Sequence, residues 1–63
     1  MNNEKELKNL AITLISQYGD DAEAVAMLRA AEYAAELNNK EWLKWERVVS
    51  LINEIDNNPD LDG

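Results

Sequence analysis

The chain has 63 residues, with thirteen acidic and six basic side chains, a formal net charge of −7, and neither cysteine nor histidine. That length holds one small domain, and the missing thiol and imidazole exclude disulfides, thiol redox chemistry, the commonest general base and the usual zinc ligands. The acidic balance repels phosphate, which argues against direct binding of nucleic acid and against a peripheral place on an anionic membrane.

The start, Met1-Asn2-Asn3-Glu4-Lys5, is polar, and no apolar run approaches the length of a signal peptide or a membrane span. A cytoplasmic location is the expectation. The first helix is predicted over residues 4–18. Leu7, Leu10, Ala11, Leu14, Ile15 and Tyr18 follow the i, i+3, i+4, i+7 pattern of one buried face. Ile12 falls off that stripe and is expected to be partly exposed. Asn3 and Glu6 have the spacing of a capping box, and Gly19 can take the left-handed conformation that closes a helix.

Asp20 and Glu23 repeat the box spacing, and Asp20, Asp21 and Glu23 stand where a helix dipole favours negative charge. The second helix is predicted over residues 21–37. Val25, Arg29, Glu32 and Glu36 mark one narrow side, while Ala26, Met27, Leu28, Ala30, Ala31, Ala34, Ala35 and Leu37 cover most of the rest. A helix apolar around so much of its circumference asks for more than one neighbour, so this one is expected in the middle. Asn38-Asn39-Lys40 is the second break: asparagine tolerates the left-handed conformation and also caps, and Asn38 has Glu41 at box spacing.

The third helix is predicted over residues 40–56, with Trp42, Trp45, Val48, Val49, Ile52 and Ile55 on one stripe and Lys44, Arg47, Ser50 and Glu54 opposite. Residues 57–63 have no periodicity and read as a flexible tail. These elements make an all-α, antiparallel three-helix bundle in one domain, residues 1–56. The expected core joins Leu10, Leu14, Met27, Leu28, Trp45, Val49 and Ile52. A domain of this size buries only about 60% of the surface of its unfolded chain. A core of that kind rarely supplies more than roughly 3–5 kcal/mol, which leaves stability to close helix packing, self-association or a partner.

No constellation reads as a catalytic, cofactor or metal site. The Asp20-Asp21-Glu23 carboxylates are accounted for by capping. Glu32 and Glu36 lie one turn apart, but the carboxylate-bridged di-metal pattern also requires histidine, and Arg29 paired with Glu32 at the surface is the simpler reading. Asn58-Pro59-Asp60-Leu61-Asp62-Gly63 matches the first positions of a calcium loop whose later ligands the sequence does not supply. Trp42 and Trp45 are the largest side chains, three residues apart. Two tryptophans on one stripe are usually core in so small a domain, but a small bundle buries two indoles with difficulty, and tryptophan is enriched at interface hot spots.

From Tyr18-Gly19-Asp20-Asp21-Ala22 onward, with Arg29-Ala30, Trp45-x-Arg47 and Ile52-x-x-Ile55, the chain resembles a group of small, uncharacterised bacterial helical proteins. It departs from them at Asn38-Asn39-Lys40, where a Gly-Asp turn is usual. The resemblance implies a compact helical fold and no activity. A further likeness, around Asn39-Lys40-Glu41-Trp42 and Glu54-Ile55-Asp56-Asn57-Asn58-Pro59, is to one tetratricopeptide-type helical hairpin.

The expectation is a non-enzymatic protein-interaction module, an adaptor or modulator without cofactor, whose partner is another protein or a second copy. Trp42, Trp45, Val49 and Ala31 are the candidate interface residues. The alternative is an acidic, nucleic-acid-mimicking inhibitor of a basic protein, which predicts salt-sensitive binding.

Overall fold

The structure, a computed structural model, describes residues 4–56. The chain is all-α: α1 spans Glu4–Tyr18, α2 spans Ala22–Ala35 and α3 spans Asn39–Asp56, with a turn of 3-10 helix, Gly19–Asp21, between the first two. The expected capping box at Asn3 and the calcium-like tail motif lie outside the described residues.

α1 ends at Tyr18, as its periodicity predicts. Ala11 and Leu14 are buried, Leu7, Leu10 and Ile15 pack half-buried against the core, and Ile12 stands exposed. Gly19 adopts φ +58, the left-handed backbone expected of it. The junction beyond Gly19 differs from the capped loop that its spacing predicts. The 3-10 turn runs straight into α2, and Ala22 N–H donates to Gly19 O. Asp21 holds the N-cap position without a side-chain cap bond, so the predicted box at Asp20 and Glu23 does not form. A helical turn that already engages the first backbone donor leaves a capping side chain less to do.

α2 ends two residues earlier than predicted. Asn38 N–H donates to Tyr33 O at 2.9 Å and Leu37 N–H to Ala34 O at 3.0 Å, the paired bonds of a Schellman motif. The residue that turns left-handed is Leu37, at φ 62, and not one of the asparagines. Asn38 is otherwise engaged: its Oδ1 accepts from Glu41 N–H at 3.2 Å and caps α3. One residue cannot make the helix-terminating turn and cap the next helix at once, so the strained position falls on the leucine before it.

The turn at Leu37–Asn38 folds α2 and α3 into an antiparallel hairpin. Asn53 Nδ2 and Glu23 Oε2, 3.4 Å apart, mark its far end. α3 packs against both other helices, most extensively against α2, and α1 and α2 touch each other least. The middle helix is therefore α3, not α2 as its composition suggests. The Cα trace measures 42 × 27 × 16 Å, and 16 Å admits only two layers at the ordinary helix separation of about 8–10 Å. Such a layered arrangement leaves a side of α2 uncovered.

The core comprises Ala11, Leu14, Ala22, Ala26, Val48, Leu51 and Ile52, with Trp45 and Val49 packed against it. Leu14 and Ile52 match expectation. Met27 and Leu28 do not: they are 54% and 62% exposed, and α2 buries Ala22, Ala26 and Ala30 instead. The reason is size. α3 contributes the branched Val48, Leu51 and Ile52 to the core and α2 contributes alanines, whose small side chains permit a close approach of helices, while the larger Met27 and Leu28 stay exposed. The expected pair of Arg29 and Glu32 is also absent. Both are exposed, and Arg29 forms no ion pair among the described residues.

Candidate functional site

Two surface features stand out once the core is set. The first is the uncovered side of α2. Ala24, Met27, Leu28, Ala31 and Ala35 recur at i, i+3, i+4, i+7 and i+11, Ala34 adjoins them, and all six are exposed. Leu37, just past the end of the helix, is 85% exposed. The charged residues of α2 lie off the stripe: Arg29, Glu32 and Glu36 occupy one flank and Glu23 the other. A run of large and small apolar side chains with no charge among them differs from the scattered exposed leucines of an ordinary surface.

The second feature is a groove of about 540 Å³ between the first half of α1 and the first half of α3. Leu7, Leu10 and Leu43 supply its apolar lining, and Lys40, Lys44 and Arg47 its cations. Two of those cations have carboxylate partners. Lys44 Nζ lies 3.6 Å from Glu41 Oε1. Arg47 grips Glu4 with both arms of its fork, Nε donating to Oε1 at 3.2 Å and Nη2 to Oε2. The fork holds the Glu4 carboxyl below the usual carboxylate range, and the Glu4 charge in turn raises Arg47. The contact joins the start of α1 to the middle of α3 across 43 positions of chain.

The four residues singled out in the sequence do not form one surface. Ala31 is exposed on the open side of α2. Trp45 and Val49 are half-buried and packed against the core, and Trp42 is half-buried on α3. Met27, Leu28 and Leu37 are the residues that sequence reasoning did not place at a surface. Among the described residues no group of three acidic side chains could hold a metal ion, and no helix is long and apolar enough to cross a membrane. Comparison with family models, with curated proteins and with solved structures found no match to this chain.

Proposed function

We propose that the chain is a protein-interaction module, an adaptor or modulator that presents the open side of α2 to another polypeptide. The observation that carries this reading is the exposure of Met27 and Leu28 on an alanine-lined side of α2 that no charge interrupts. Contiguous apolar surface of this kind marks association sites in soluble proteins, and flexible methionine suits a face that must fit a partner. The alanines let a partner's backbone come close, while Met27 and Leu28 supply area.

Site-specific photo-cross-linking in cells tests the reading. A photoreactive side chain at Leu28 should give a defined cross-linked product, and the same group at Arg29, on the polar flank one residue away, should give little. Equal products from both positions would refute the assignment of the face. A product that forms only at Arg29 and fades with added salt would favour an acidic surface offered to a basic protein.

A further inference from the structure

The arrangement of large and small residues along the open side of α2 narrows the choice of partner. Resting on the reading of that side as a binding face, we infer that its occupant is a second copy of this chain, docked antiparallel across a two-fold axis at Ala31. Met27 and Leu28 lie one turn before Ala31, and Ala34 and Ala35 one turn after it. An antiparallel pairing with Ala31 on itself sets Met27 of each copy against Ala35 of the other, and Leu28 against Ala34. Each large side chain then meets a small one, twice, by symmetry. A parallel pairing would crowd the large residues together at one end and leave alanine facing alanine at the other. Isologous two-fold contacts require this kind of self-complementarity.

The charge pattern agrees. Each copy carries a formal −7, yet the stripe that would be buried carries no charge, so association leaves no charge of the stripe unpaired. The remaining repulsion between copies is long-range and screened by salt. Self-association therefore strengthens as salt rises, whereas binding to a basic partner weakens. A helix of α2's length spans about 21 Å and offers a contact on the order of 400 Å² per copy. The total falls below the roughly 1,200 Å² of stable complexes, so the dimer is weak and reversible.

The chain has no cysteine, which makes a direct test simple. In an Ala31→Cys variant the new thiol would meet its own copy at the axis, and mild oxidation should give a covalent dimer. In a Met27→Cys variant the two thiols would be offset by about 12 Å along the helix, since eight residues separate position 27 from its facing residue, each rising about 1.5 Å. That offset exceeds the reach of a disulfide of about 7 Å between Cα atoms. The expected result is dimer formation at least tenfold faster for A31C than for M27C, both variants keeping wild-type helicity. A mixture of M27C and A35C should cross-link to each other. Equal rates for A31C and M27C would overturn the two-fold arrangement. A molar mass that stays monomeric by light scattering, at every concentration and salt, would overturn the second copy as occupant. The Leu28 photo-cross-link to a different protein would still stand in that case, because it reads the face independently of who covers it.

Discussion

The two sides of α2 are made largely of the same residue and meet opposite fates. Ala22, Ala26 and Ala30 are buried, while Ala24, Ala31, Ala34 and Ala35 lie open beside Met27 and Leu28. Hydrophobicity does not separate them, since the open side holds the larger and more apolar side chains. Fit does. The buried side packs into a core with the branched residues of α3, where a close approach is worth more than a bulky side chain that would hold the helices apart. In this fold α3 supplies the volume and α2 supplies proximity.

One substitution made on both sides gives the sharpest test of that comparison. Ala26→Leu forces extra carbons into a site with no accessible surface and should cost about 1–3 kcal/mol in chemical denaturation. Ala31→Leu should change the stability of the dilute monomer by less than about 0.5 kcal/mol. Equal losses would mean that α2 has no open side in solution.

The end of α2 allows a second test, smaller and of opposite sign. Leu37 accepts a left-handed backbone, which costs a non-glycine residue roughly 1–2 kcal/mol, and at 85% exposure it gains almost no burial in return. Leu37→Gly should therefore stabilise the free chain by about 1 kcal/mol in the same denaturation assay. If Leu37 also contacts a partner, the variant will bind less well while folding better.

The smallest effect concerns α1. Glu4 is held below its ordinary range by Arg47, so the folded state favours the carboxylate. The contribution is present at neutral pH, above the unfolded value, and is lost as pH falls through the folded one. Both groups are exposed, so the effect on stability is slight and screened by salt. It is best read by NMR titration. Glu4 should titrate below the ordinary carboxylate value, and Arg47→Gln should move it back up.

What the sequence makes legible here is what neighbours along the chain decide. The end of α1, the left-handed Gly19 and the cap from Asn38 to Glu41 all depend on residues within four positions of each other. The fate of Met27 and Leu28 depends on which helix lies opposite and how large its side chains are, and no local pattern carries that. Leu37 shows the limit from another side. Two asparagines beside it look like better left-handed residues, and only the competing claim of the α3 cap on Asn38 moves the strain onto leucine. The candidate face was half visible: Ala31 belongs to it, whereas of the two tryptophans that drew notice by size Trp45 packs against the core and Trp42 is half-buried on α3.

Gly19 carries one more consequence. A β-carbon added there would meet nothing within 4 Å, so the site does not demand smallness. It demands a sign of φ, which ordinary side chains resist because of their handedness. The junction between α1 and α2 thus selects on chirality alone. A D-alanine placed there by chemical synthesis would suit the folded backbone as glycine does and would leave the unfolded chain less freedom to lose, whereas its mirror image, L-alanine, would be strained.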